Sequence, residues 1–179
     1  MKNFPTKPFI AIVLAQMAVL GFMVFKRMHL LKTGKIVRLE CVPVDPRSLF
    51  SGDYVILNYK ISRLRNFQTF NLYKEKFRRM DTVYVALQKQ AGSPYWKAVA
   101  VSHNRSKLKK RYKVVIRGVL RSPSAGWIKY GVEQYFVPLF EGKKIEKNLS
   151  NVSVDIAISK SGESAVKRLF LRNREIKFR

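Results

Sequence analysis

An unbroken apolar run at residues 8–25, PFIAIVLAQMAVLGFMVF, constrains this chain more than any other feature. Its 18 residues include one strongly polar side chain, Gln16. As a helix the run would extend roughly 27 Å, close to the hydrocarbon thickness of a bilayer. Lys2 and Lys7 precede it, and Lys26 and Arg27 close it. Long basic side chains at both ends suit the two polar interfaces, into which they snorkel. The core helix of a soluble domain would show a polar face, and this run has none. A cleaved signal peptide needs small residues at its exit, whereas the exit here is Val24-Phe25-Lys26-Arg27-Met28. Residues 1–34 are therefore expected to form an uncleaved single-pass membrane anchor with its linker, and residues 35–179 a single further domain.

That domain reads as mainly β. In Tyr54–Ile61, the side chains of Val55, Leu57, Tyr59 and Ile61 fall on one face of a strand. Thr82–Gln88 repeats the alternation through Val83, Val85 and Leu87. Ile36–Val44, Tyr95–Val101, Tyr112–Leu120 and Trp127–Val137 are further candidates, rich in aromatic and β-branched residues. Near the end, Val152, Val154, Ile156 and Ile158 alternate with Ser153, Asp155 and Ala157. Ser159-Lys160-Ser161-Gly162 then supplies a turn into Ala165–Leu171, with Gly162 available for positive φ. Between Leu64 and Met80 the alternation fails. Phe67, Phe70, Tyr73 and Phe77 would stripe a short helix there or pack an aromatic-rich loop. The expectation is one antiparallel barrel- or sandwich-like domain of about eight strands with one short helix.

Charge is the second constraint. The 179 residues carry 36 Lys plus Arg against 11 Asp plus Glu, a formal +25. No acid occurs between Thr82 and Val132. Such a surface attracts anions, whether phosphates, lipid headgroups or acidic polymers. Its densest tract, read as a turn between strands, is Arg105, Lys107, Lys109, Lys110, Arg111 and Lys113, with Tyr112 inside it and Tyr95 and Trp96 upstream. Basic residues with interleaved aromatics are one route to nucleic-acid binding, but no nucleic-acid motif is present. Beside a membrane, anionic lipid or an acidic polymer is the simpler ligand. A solvated face that keeps the chain soluble is the competing reading.

The stretch Asp45-Pro46-Arg47-Ser48-Leu49-Phe50-Ser51-Gly52-Asp53 has dense turn chemistry, with Pro46 fixing φ and Gly52 free to take a left-handed conformation. It opens into Gly52-Asp53-Tyr54-x-x-Leu57-x-Tyr59, which resembles the signature of the GDYXXLXY family of membrane-anchored bacterial proteins. Val42-Pro43-Val44-Asp45-Pro46-Arg47 is similar to that family's lead-in. Tyr130-Gly131-Val132-Glu133-Gln134-Tyr135-Phe136-Val137-Pro138 resembles its second signature, and Val154–Ile158 with Gly162 its closing hairpin. Leu139 and Phe140 intervene before Glu141-Gly142, a departure from the family string, as is the high basicity. The resemblance implies a domain outside the cytoplasm. Local charge counting slightly favours the opposite, with Lys26, Arg27, Lys32 and Lys35 against Lys2, Lys7 and the terminal amine.

Glu133, the only acid between Asp81 and Glu141, is expected on a strand as an ionised, paired carboxylate. If the two signatures meet, Arg47, Asp53 and Glu133 could form one polar cluster. Catalysis has little support. Signal peptidases also combine an anchor, a β-domain and a Gly-Asp string, and Gly52-Asp53-Tyr54-Val55 resembles theirs. Their nucleophilic serine lies eight residues before the glycine, where this chain has Val44. One cysteine, Cys41, and two separated histidines, His29 and His103, offer neither a disulfide nor zinc spacing. No phosphate-binding glycine loop follows a strand, so neither a metal nor a cofactor is expected. The sequence thus points to a non-enzymatic envelope binding or scaffolding domain, partnered by the membrane and its proteins. A hydrolase and a nucleic-acid module are the alternatives.

Overall fold

In the computed structural model, residues 6–42, 54–136 and 151–176 are described. Helix α1 spans Thr6–Thr33, and its 18-residue apolar stretch at residues 8–25 has a mean hydropathy of 2.3. It is long and apolar enough to cross a membrane. Phe9, Leu14, Phe22 and Phe25, on different sides of the helix, are each more than 60% exposed. An apolar surface on all sides is what a span in hydrocarbon requires.

The stretch after Phe25, expected as a linker, continues as helix to Thr33, with only Gly34 between α1 and strand β1 (Lys35–Val42). Three contacts seat this last part of α1 on the domain. Lys26 pairs with Glu163 at 2.9 Å, and Arg27 donates to the Ser164 carbonyl at 3.1 Å. Leu30 is buried against Ala157 and Ala165, which contributes about 1.5–3 kcal/mol. Gly34 makes the junction sterically possible. A Cβ there would lie 2.6 Å from the Leu30 carbonyl oxygen and 3.0 Å from the Ala157 Cβ.

The domain is mainly β and antiparallel. Strands β2 (Tyr54–Ile56) and β3 (Asn58–Tyr59) come from the single alternating segment expected. Val55, Leu57, Tyr59 and Ile61 are all buried, as the period of two requires. After a 3-10 turn at Lys60–Ser62 and a four-residue helix α2 (Phe67–Phe70), the chain forms β4 (Thr82–Lys89) and β5 (Trp96–Ser102). Helix α3 (Arg105–Arg111) leads to β6 (Val114–Ser122), β7 (Trp127–Lys129) and β8 (Gln134–Phe136). The last strands are β9 (Val152–Ile158), β10 (Ser164–Leu171) and β11 (Arg174–Glu175).

Sheet order is β11-β10-β9-β1-β3 in one sheet and β5-β4-β6-β7 in another, with β2 and β8 as a separate pair. The main core lies between the two larger sheets, joining Val37, Leu39, Val154 and Ile156 to Val83, Val85, Ile116 and Ile128. Among the described residues the sheets do not close into a barrel. Cys41 lies in this core, and burial pushes its thiol up to about 12, so it stays an unreactive thiol at neutral pH.

Three expectations are corrected. The tract Arg105–Arg111 is a helix and not a turn. The Asn104 side chain accepts from the Ser106 and Lys107 amides, and Leu108 is buried against Ala86, Ala100 and Val115. β5 and β6 both pair with β4 antiparallel, so they run parallel and α3 crosses between them. Trp127–Val137 is not one strand: Gly131, at φ 77°, breaks it into β7 and β8. Glu133 lies in that break and not on a strand. Strand β9 is covered on both faces: Ser153, Asp155 and Ala157 are buried along with the apolar residues they alternate with.

Candidate functional site

The two signature segments lock onto each other. β2 pairs with β8 through Tyr54↔Phe136, Val55↔Tyr135 and Ile56↔Gln134. At Leu57 the chain passes from one sheet to another, and its amide donates to the Glu133 carbonyl at 2.7 Å. The Tyr59 hydroxyl donates to the Val132 carbonyl at 2.5 Å. In return, the Tyr130 hydroxyl donates to the Ile61 carbonyl at 2.7 Å. Both phenols are buried, and desolvation raises their pKa values well above the ordinary tyrosine range.

The Glu133 carboxylate serves the turn itself. It accepts from the Tyr130 amide and, at 2.9 Å, from the Gly131 amide. Charge-assisted bonds to two backbone donors hold the positive-φ glycine turn; among the described residues this acid is occupied by its own backbone and forms no salt bridge. Arg47 and Asp53 lie outside the described residues, and with them the proposed cluster with Glu133.

The basic tract divides into separate environments. On one flank of α3, Lys107 pairs with Glu75 at 3.4 Å and sits over the Tyr73 ring. On the other, Arg105 donates to the Lys160 carbonyl, tying α3 to the β9–β10 turn. Lys109 and Lys113 line a cavity of about 650 Å³, together with Lys35 and Lys160. Lys110 and Arg111 are exposed elsewhere on the helix. Tyr95 and Trp96 line a different cleft of about 1030 Å³ with Glu40, Lys60 and Lys97. Tyr95 and Trp96 therefore do not share a cavity with the basic tract; the aromatic rings beside it are Tyr112, under Arg111, and Tyr73, under Lys107.

A family model described as GDYXXLXY protein matches residues 16–169. The chain belongs to the GDYXXLXY family. No curated protein and no solved structure matches it. In this GDYXXLXY protein the named residues Leu57 and Tyr59 are buried and serve to join β2, β3 and β8. Among the described residues no group of His, Cys, Asp and Glu is placed to hold a metal ion.

Sequence reasoning missed Lys35 and Lys160 as companions of Lys109 and Lys113, because only the fold brings three distant segments to one cavity. It also missed Glu75, which holds the 64–80 segment against β5. Glu75 accepts from the Ser102 hydroxyl at 2.8 Å and from the His103 amide at 2.7 Å. Burial acts to raise its pKa, but the bonds from His103, Ser102 and Lys107 outweigh it, and the net shift is downward. A carboxylate lowered on folding stabilises fully above its unfolded value of about 4.3 and loses that contribution as pH falls through the folded value. Glu75→Gln should cost about 2 kcal/mol at pH 7. In thermal unfolding scans, its deficit against the parent chain should shrink as the pH drops below about 4. A deficit constant down to pH 2.5 would place the role of Glu75 in packing.

Proposed function

We propose that this protein is a membrane-anchored, non-catalytic binding or scaffolding domain of the cell envelope, with its β-domain outside the cytoplasm. One observation carries the reading. The apolar helix enters the domain without a flexible joint and is seated there by Leu30, Lys26 and Arg27. A domain held this way keeps one face at the bilayer surface. That arrangement suits presenting a fixed surface to lipids and neighbouring membrane proteins, whose contact with the exposed apolar sides of α1 needs no further site.

The outward orientation follows the family resemblance against a slight local charge bias. That bias weakens once Lys26 is paired with Glu163 and Arg27 bonds to Ser164, because two of the four counted charges are engaged by the domain. The test is a reporter fused after Arg179 in the full chain, combined with carbonate extraction of membranes. The chain should resist extraction, and a reporter active only outside the cytoplasm should work. Activity of a cytoplasm-only reporter at that position would overturn the orientation, and release of a soluble chain starting near Lys26 would overturn the anchor.

A further inference from the structure

We propose that the cavity at the foot of α1 is a preformed site for a phosphate-bearing anion, supplied by the headgroup of an anionic phospholipid. The inference rests on the membrane-anchored reading and gives it a ligand. Four lysines line it, from three segments: Lys35 at the start of β1, Lys109 on α3 with Lys113 just after it, and Lys160 in the β9–β10 turn. No Asp or Glu among the described residues lines the cavity. Among the described residues none of the four lysines forms an ion pair, whereas Lys26, Lys60 and Lys107 each have a carboxylate partner. Like charges gathered without a counter-charge repel one another and create a local positive potential, which an anion relieves.

The rest of the lining suits an amphiphile. Ile36, Val114, Val115 and Ile158 give the cavity an aliphatic floor beneath the basic rim. A phosphate on the rim would leave glycerol and the first acyl carbons over apolar surface. A free inorganic anion has no use for that surface, so the lining favours lipid as the source.

Position supports the same source. Glu163, in the turn that carries Lys160, pairs with Lys26, the first charge after the apolar run. The Lys160 side of the cavity thus stands near the level at which α1 leaves hydrocarbon. Thr33 and Gly34, at the other side, are about 12 Å farther along the helix axis at 1.5 Å per residue. The headgroup layer and the reach of the lysine side chains span this interval.

The site is also held in shape without a ligand. The Arg117 amide donates to the Gly162 carbonyl at 2.8 Å, Arg105 bonds to the Lys160 carbonyl, and the Ser159 amide donates to the Glu163 carbonyl at 2.9 Å. Gly162, at φ 93°, lets the turn lie against β6. Little ordering is left for binding to cost.

The experiment uses the full chain in an uncharged detergent, titrated calorimetrically with dihexanoyl phosphatidylglycerol. Dihexanoyl phosphatidylcholine and inorganic phosphate serve as separate arms. Lys109→Gln with Lys113→Gln is compared with Lys110→Gln with Arg111→Gln, which removes the same charge from the same basic tract outside the cavity. The anionic lipid should bind, and the Lys109/Lys113 variant should bind it roughly 30-fold more weakly, about fivefold per lysine. The Lys110/Arg111 variant should stay within twofold of the parent. Lys160→Glu should weaken binding at least as much as one of the glutamine changes, through a segment remote from α3, and circular dichroism should show every variant folded. Equal losses in the two double variants would reduce the effect to overall charge and overturn the site. Inorganic phosphate binding as tightly as the lipid would overturn the lipid source. A polyphosphate arm outcompeting the lipid through the same lysines would assign the site to an acidic polymer instead. None of these outcomes depends on which side of the membrane the domain occupies, so the site and the orientation fail separately.

Discussion

Replacing Asp155 with alanine should destabilise the domain by about 2–3 kcal/mol, because it removes the buried carboxylate that two partly exposed guanidinium groups share. Asp155 is 3% exposed in its side chain and sits at the centre of the five-stranded sheet. Arg38 donates to it through Nε at 2.7 Å and Nη2 at 3.1 Å, and Arg168 donates through Nη2 at 2.8 Å. The hydrogen bond to Asp155 raises Arg38 above its ordinary pKa despite partial burial. All three residues are direct cross-strand partners, Arg38↔Asp155 on one side and Arg168↔Asp155 on the other. The register of β10 shifts between Val166 and Arg168, which places Arg168 rather than Lys167 opposite the acid. The Phe170 ring lies 3.9 Å from the Arg38 guanidinium and completes the stack.

The penalty comes from stranding charge, not from the net value of the triad, and this gives the prediction its control. Asp155→Leu combined with Arg38→Met and Arg168→Met should recover most of the loss, because a well-packed apolar replacement removes the desolvation cost along with the attraction. Urea unfolding of the full chain in detergent, followed by tryptophan fluorescence, reads both. A loss below about 1 kcal/mol for Asp155→Ala would mean that water replaces the carboxylate without difficulty.

The same triad shows what the sequence left out. The period-two pattern of β9 made Val154 and Ile156 legible as core, and they are. It left the burial of Asp155 unread, because alternation reports only one covered face. The second cover comes from Leu30 on α1, from Ala165 and from the Arg38–Phe170 stack, all distant in sequence. Helix α3 was illegible for a related reason. Seven residues with one buried apolar side chain, Leu108, cannot show a helical period. The Asn104 cap was the available signal. Gly131 was the signal for the break that takes Glu133 off a strand. By contrast, Val55, Leu57, Tyr59 and Ile61 were legible because one uninterrupted face meets one core. Of the lysine cavity, Lys109 and Lys113 stood in the basic tract, whereas Lys35 and Lys160 had no local signal and acquire meaning only by convergence.

Truncating Tyr59 to alanine should cost about 3–5 kcal/mol by leaving a cavity where the two signatures meet. Tyr59→Phe should recover all but about 1–2 kcal/mol, the penalty for an unpaired Val132 carbonyl. Tyr130→Phe should behave alike through the Ile61 carbonyl. Because the two bonds clasp the same pair of segments in opposite directions, the double phenylalanine variant should deviate from additivity. The phenols also predict an alkaline signature. Burial raises both pKa values well above 10 in the folded chain, so only the unfolded chain ionises them near that pH. Their contribution is complete below the unfolded value of about 10 and falls as the pH rises through the folded one. Many lysines titrate in the same range, so the informative quantity is the difference between the parent chain and the Tyr59→Phe, Tyr130→Phe variant. Between pH 9 and 11 the parent should lose stability faster, and the gap measured at pH 8 should narrow. Parallel profiles over that range would show that the phenols reach water, and would remove the reciprocal clasp as the reason these two tyrosines stand in the two signatures.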